Sequence, residues 1–277
     1  MTGSAVPEDV DLERANVARM YDYWLGGACN FAVDREHADR IEASNHTARH
    51  AARSNRTFLR RVVRSCLARG IDQFLDLGSG VPTVGNVHEI APDARVAYVD
   101  HEAVAVAHSR EILAGIDRAS VTQADLADAE AVLTAPGVAD LLDFSRPVAV
   151  LAIAVLHYVP GDLTALLAPY RARLVPGGVL AISHVSDEQD DPDLADRIRA
   201  AAEVFRGSAN PVTLRSRAEL AAPFEGLAID APGTVDVTDW PDARPDVVPV
   251  GMYAVCAALT TASPTAPPST PPAPPAS

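Results

Sequence analysis

The sequence predicts an α/β fold in which a mostly parallel sheet of seven strands carries helices on both faces, with a helical cap ahead of it. Three observations predict it. From residue 71 onward, short apolar runs alternate with segments of helical period. The first of those runs, Phe74-Leu75-Asp76-Leu77, ends in the sharp turn Gly78-Ser79-Gly80. Residues 11–69, by contrast, are helical in pattern throughout.

Taken in order, Asp11 is suited to cap a helix running through Trp24-Leu25, which Gly26-Gly27 stops. Asp34 is suited to cap a second. A third repeats apolar pairs at helical spacing, Phe58 and Leu59, Val62 and Val63, Cys66 and Leu67, and closes at Gly70. Along it lie Arg49, Arg53, Arg56, Arg60, Arg61 and Arg64, which read as a solvated face paired with acidic neighbours. Strands are expected at 73–77, 95–99, 120–123, 148–152 and 179–183, separated by helices at 84–90, 104–114, 129–133 and 163–172. Helical stretches at 194–205 and 217–222 precede two more strands, 233–237 and 253–259. Residues 1–10 are expected to form a flexible leader, 11–69 the cap, and 70–260 the sheet domain. Residues 261–277 read as a disordered Pro-rich tail, because such composition buries too little apolar surface to offset its ordering entropy.

Bulk properties narrow the function. With 277 residues, 48% of them hydrophobic, one large core with an accessory element is expected. A formal charge of −14 argues against nucleic acid as partner, since that affinity comes mainly from Lys and Arg. Three scattered cysteines suggest neither a disulfide framework nor a zinc ribbon, and a cytoplasmic setting follows. No apolar run approaches the length of a membrane span. His46 and His50 lie four apart on a helix without a third ligand, so no metal is expected.

The glycine turn and the strand-end acid Asp100 together specify a nucleoside-binding crevice. Gly78 and Gly80 leave backbone free of a Cβ where a ligand approaches, and a carboxylate at Asp100 can accept hydrogen bonds from both ribose hydroxyls. The bland alternative is an ordinary strand-to-helix turn with a capping acid. A dinucleotide fingerprint wants a further glycine three residues after Gly80, but Thr83 stands there and Val81-Pro82 intrude. A loop without room for a pyrophosphate suits a ligand ending in an amino acid, which favours S-adenosylmethionine (SAM) over a nicotinamide cofactor.

Later motifs agree. Gln123-Ala124-Asp125-Leu126 ends the third strand, and Leu174-Val175-Pro176-Gly177-Gly178 precedes the fifth. Together with the glycine turn they resemble the class I SAM-dependent methyltransferases, whose Rossmann-like sheet the chain is therefore expected to share. Further segments are Met20-Tyr21-Asp22-Tyr23-Trp24-Leu25-Gly26-Gly27, Asn55-Arg56-Thr57-Phe58-Leu59, Gly85-Asn86-Val87-His88-Glu89 and Val155-Leu156-His157-Tyr158-Val159-Pro160. These are similar to an actinomycete SAM methyltransferase family that was formerly a domain of unknown function, over roughly residues 13–258. Ala28-Cys29 departs from the charged pair expected in that family.

The resemblance implies a cofactor site of Tyr21, Gly26, Asp76, Gly78, Gly80, Asp100, Asp125, Leu126 and Ala154. Asp76 would orient the methionine ammonium, Asp100 the ribose and Asp125 the adenine amino group. Tyr21 and the Gly26-Gly27 turn read as a lid over the cofactor, with a core helix ended by a glycine stop as the alternative. His157, after the fourth strand, and His184, at the end of the fifth, are the candidate general bases, each with a satisfied core histidine as its alternative. O- or N-methylation of a small molecule, without metal, is the expected reaction. A SAM-binding regulatory protein without turnover and a nicotinamide-dependent oxidoreductase are the rival readings.

Overall fold

The computed structural model describes residues 13–83, 85–242 and 247–260. Three helices come first: α1 (Val17–Leu25), α2 (Ala32–Ser44) and α3 (Ala48–Ala68). Asp11 lies outside the described residues, and the N-cap of α1 is Asn16, whose side chain accepts from Ala18 N–H at 2.8 Å. Gly26, with φ of +86°, terminates α1. Asp34 sits inside the first turn of α2 rather than before it, and accepts from Phe31 N–H at 2.9 Å. From there it reaches back to the N–H of the N-cap residue, and its charge suits a helix N-terminus.

The chain then alternates β1 (Gln73–Leu77), α4 (Val87–Ile90), β2 (Arg95–Asp100), α5 (Ala103–Ile112) and β3 (Ala119–Gln123). Next come α6 (Ala129–Thr134), α7 (Pro136–Ala139), β4 (Ala149–Ile153), α8 (Leu163–Arg171) and β5 (Val179–Val185). The last elements are α9 (Pro192–Phe205), α10 (Arg217–Ala221), β6 (Ala228–Ile229), β7 (Val235–Asp236) and β8 (Met252–Ala258). Among the described residues the sheet has eight strands, where the sequence predicts seven. The additional one, β6, is two exposed residues long, too short to leave a periodic signal. The expected helix at 84–90 starts only at Val87, because Gly85 has φ of +74° and Asn86 is extended; Val84 lies outside the described residues. A separate α7 follows α6 because Ala135, preceding Pro136, is extended.

Strand order is β3-β2-β1-β4-β5-β8-β6, with β7 also paired to β8. The first five strands are mutually parallel, while β8 runs antiparallel to β5. Connections leave β1 toward β2 on one side and β4 toward β5 on the other. Open α/β sheets form their ligand crevice at such a reversal, beyond the carboxyl ends of the two central strands. Gly78 follows β1 and Ala154 follows β4, so both expected landmarks stand at this point.

Two apolar layers cover the sheet. One joins Leu75, Leu77, Val150 and Ile182 to Leu167 and Tyr170 of α8; the other joins Phe74, Val96 and Leu151 to Phe58, Val62 and Val63 of α3. A third cluster holds Met20, Trp24, Ile41 and Ala52 against Ala201 and Phe205 of α9. The helical segment thus shares its packing with the sheet through α3 and with the C-terminal half through α9. The arginine row of α3 is not a solvated face, for only Arg53 and Arg64 are exposed. Arg49 pairs with Glu42, Arg60 packs on Gly85, and Arg61 donates to the Trp240 carbonyl at 2.7 Å. Helical register explains this: Arg56 follows Asn55 and precedes Leu59, both buried, so it shares their face.

Candidate active site

Above the carboxyl ends of β1 and β4 lies a cavity of about 410 Å³. Eight of the expected cofactor residues line it: Tyr21, Asp76, Gly78, Gly80, Asp100, Asp125, Leu126 and Ala154. Gly26 does not; it ends α1, and the α1 carboxylate beside it does the linking. Asp22, 1% exposed, accepts from Cys29 N–H and Asn30 Nδ2 on its own side, and from Thr83 Oγ1 at 2.7 Å across the cleft. A Cβ on Gly27 would stand 1.9 Å from that carboxylate. Thr83, which occupies the place of a dinucleotide-type third glycine, therefore fastens the loop to the cap.

The glycine turn is built by backbone. Gly78 and Ser79 donate to the Val99 carbonyl, and Gly78 and Gly80 have φ of +68° and +66°. At Gly78 a Cβ would also meet Val155 at 2.2 Å, so the position is closed to larger residues on two counts. Asp100 locks the turn to β2: its Oδ2 accepts from Gly80 N–H at 2.7 Å and its Oδ1 from Glu102 N–H at 2.9 Å. Burial raises the pKa of Asp100, against the opposing pull of those hydrogen bonds. Asp76 is pushed up to about 7 by burial, opposed by the Arg56 guanidinium and reinforced by the Asp100 carboxylate. Asp125 is exposed at the rim, where its Oδ1 accepts from Ala127 N–H at 2.8 Å.

Several lining residues were not foreseen from sequence. Arg56 brings a cation to the cavity, with its Nε buried and without a hydrogen-bond partner. Glu102 lines the cavity and also caps α5 by accepting from Ala105 N–H. Arg19, 1% exposed, joins Asp34 at 2.8 Å to Glu102 at 3.3 Å, tying α1 and α2 to the end of β2. A second chain of bonds spans sheet and cap. Ala154 N–H donates to Ser183 Oγ, Ser183 Oγ–H to Asn55 Oδ1, Asn55 Nδ2–H to Tyr21 Oη, and Tyr21 O–H to the Ala52 carbonyl. It holds Tyr21 in place, and it holds Ala154 at φ of +56°, a strained value for a residue with a Cβ. Arg56 was legible from its helical register; Ser183 and Asn55, 128 residues apart, carried no local signal.

The two histidines lie together behind this cavity, their rings 5.3 Å apart and at 80°. His184 is fully buried. Its Nδ1 is 2.6 Å from the Val185 carbonyl and its Nε2 2.9 Å from Arg215 Nη1, so Nδ1 donates, Nε2 accepts, and both nitrogens are engaged. Burial, with the nearby Arg215 charge, brings its pKa down to about 4. His157 is also buried, but its Nδ1 has no partner. Burial, His184 and Arg215 hold its pKa well below the ordinary value, which keeps the ring neutral at pH 7.

Comparison with known proteins gives this geometry a context. A family model described as S-adenosyl methyltransferase matches residues 3–261. A candidate methyltransferase from Thermobifida fusca YX superposes with a TM-score of 0.86 at 33% identity, covering 94% of this chain and all of that one. A DUF574 family protein from Streptomyces avermitilis MA-4680 superposes with a TM-score of 0.82, also at 33% identity, over 89% of this chain and 98% of its own. An O-methyltransferase family protein from Burkholderia thailandensis, at 16% identity and a TM-score of 0.51 over 83% of this chain and 63% of its own, shares the fold alone. The chain matches no curated protein.

Proposed function

The chain belongs to the S-adenosyl methyltransferase family, and from that premise we propose that it methylates an oxygen or nitrogen of a small-molecule metabolite, in line and without metal. The observation that carries this reading is the cavity at the strand-order reversal, which offers three buried carboxylates, Asp76, Asp100 and Glu102, and the Arg56 cation in about 410 Å³. SAM supplies a methyl group already activated on a sulfonium, so the protein's task is to hold, orient and exclude water.

The lining fits such a cofactor. Asp100 accepts from the ribose hydroxyls while keeping Gly80 in place. Asp76 and Arg56, of opposite charge, receive the ammonium and the carboxylate of the methionine end. The buried, unpartnered Nε of Arg56 supports its part. Asp125 takes the adenine amino group and Leu126 packs on the base, while Gly78 admits backbone approach. Tyr21 and Ala154 stand where donor and acceptor meet. His157, neutral and with a free Nδ1, is the proton acceptor in this reading. His184, with both nitrogens engaged, orients Arg215, which donates to the Leu156 and Val159 carbonyls and so shapes the turn that carries His157.

No helix among the described residues is long and apolar enough to cross a membrane. A cytoplasmic setting belongs to the same proposal, supported by three cysteines held as free thiols. Calorimetric titration with S-adenosylhomocysteine and with NAD tests the cofactor; tight NAD binding without S-adenosylhomocysteine binding would overturn it. Incubation with methyl-labelled SAM and a cell extract, with Asp100→Ala as control, tests turnover on a small molecule. Label appearing in protein or nucleic acid instead would refute the acceptor class.

A further inference from the structure

Beside the main cavity lies a smaller recess of about 80 Å³, and Tyr21, Ala154 and Tyr158 line both. Its remaining walls come from α1, α2, α3, β5, α9, β8 and the loops between them, among them Ile41, Ala52, Ile198, Phe205 and Met252. No Asp, Glu, Lys or Arg lines it among the described residues. Two of its side chains nonetheless carry polar atoms that are buried and without a hydrogen-bond partner, Trp24 Nε1 and His157 Nδ1. Trp24 is 5% and His157 4% exposed. A buried polar atom left unsatisfied is destabilising, so two of them on side chains that line one recess point to a ligand that completes them.

We propose that this recess is the methyl-acceptor site and that it takes an uncharged, apolar-bodied molecule bearing a hydroxyl, of which a simple phenol is the least elaborate example. The inference rests on the methyltransferase reading and adds the class of acceptor. An ionic group placed there would meet no counter-charge and would carry its full desolvation cost. A hydroxyl, in contrast, both donates and accepts. Trp24 Nε1 only donates, and His157 Nδ1 accepts when the ring proton is on Nε2. The wall amide Asn45 offers less, since its Oδ1 already accepts from Thr47 N–H and Oγ1–H. Apolar walls take the body of the molecule. The hydroxyl lies toward His157, whose ring packs 4.2 Å from that of Tyr158 at the border with the larger cavity.

The sequence has two tryptophans, so Trp240→Phe leaves Trp24 as the one fluorophore of its kind and makes the recess directly readable. With S-adenosylhomocysteine saturating, 4-ethylphenol is titrated against that emission, beside its anionic and cationic counterparts 4-hydroxybenzoate and tyramine. Calorimetry on the unsubstituted protein repeats the series without reliance on the variant. The expected result is 4-ethylphenol binding at least tenfold tighter than either charged compound. Ala202→Leu, which fills the recess but does not touch the larger cavity, is expected to weaken 4-ethylphenol at least tenfold and to leave S-adenosylhomocysteine affinity within twofold. Ala48→Met, on α3, serves if Ala202→Leu does not fold. Equal or tighter binding of a charged probe, or indifference of 4-ethylphenol to the filled recess, overturns the proposal. Failure of the unsubstituted protein to bind S-adenosylhomocysteine overturns the cofactor reading instead.

Discussion

The two halves of the site are built in opposite ways. The larger cavity holds the charged groups, and although its walls run from Asn16 to Asn210, its glycines and strand-end acids, Gly78 to Gly80, Asp76, Asp100 and Asp125, all lie within 50 residues of one another. The smaller recess is apolar, carries no charge among its described lining residues, and draws its walls from Tyr21 to Met252. The difference separates a task that is the same for every acceptor from one that is not. Holding a sulfonium nucleoside requires fixed carboxylates and backbone, whereas an acceptor pocket needs only shape and an absence of competing charge.

The most severe way to break the comparison is to cut what joins the halves. Arg19→Met leaves Asp34 and Glu102 buried without their cation, and a loss of about 3–5 kcal/mol is expected in urea unfolding. A variant as stable as the parent would show that Arg19 holds nothing. Next is Asp100→Ala, expected to weaken S-adenosylhomocysteine by about 1–3 kcal/mol in calorimetry while the recess keeps its shape. Unchanged affinity would remove Asp100 from the cofactor assignment.

Asp76 sharpens the contrast through pH. Its carboxyl, near 7 in the folded chain and near 3.8 when unfolded, binds more protons folded than unfolded between those values. Its contribution to stability therefore declines as pH rises from about 4 to 7. Binding of an ammonium runs the other way, favouring the ionised form. S-adenosylhomocysteine affinity is expected to rise across pH 6–8, by less than about tenfold per pH unit, and to lose that rise in Asp76→Asn. Parallel profiles for the two proteins would contradict the role given to Asp76. The smallest effect belongs to Ser183→Ala, which interrupts the bonds from Ala154 to Asn55 and is expected to cost about 1 kcal/mol by denaturant midpoint. A stabilised variant would show those bonds to be dispensable.

Much of the charged half is legible in the sequence. Glycines at forced backbone angles and acids at strand ends are local features, so their spacing in the chain is their spacing in space. The positions of β1, β2, β4 and β5 follow from apolar runs for the same reason. Charge patterning alone places Arg56 in solvent, whereas helical register, through the buried Asn55 and Leu59, marks its face as the buried one. His157 and His184 were indistinguishable in sequence. Arg215, 31 residues beyond His184, engages one of them and leaves the other with an unpartnered nitrogen.

By itself, then, the sequence determined the alternating α/β order, the glycine turn, the strand-end carboxylates and the family. Each of these is set by neighbours within a few residues or by motifs that keep their order. Tertiary structure decided that Gly26, the expected helix stop, does not also line the site, that Arg56 enters the cavity, and that an apolar recess adjoins it. It alone could do so, because those facts depend on which side chains from distant segments share a volume, and burial and partnership are properties of that volume.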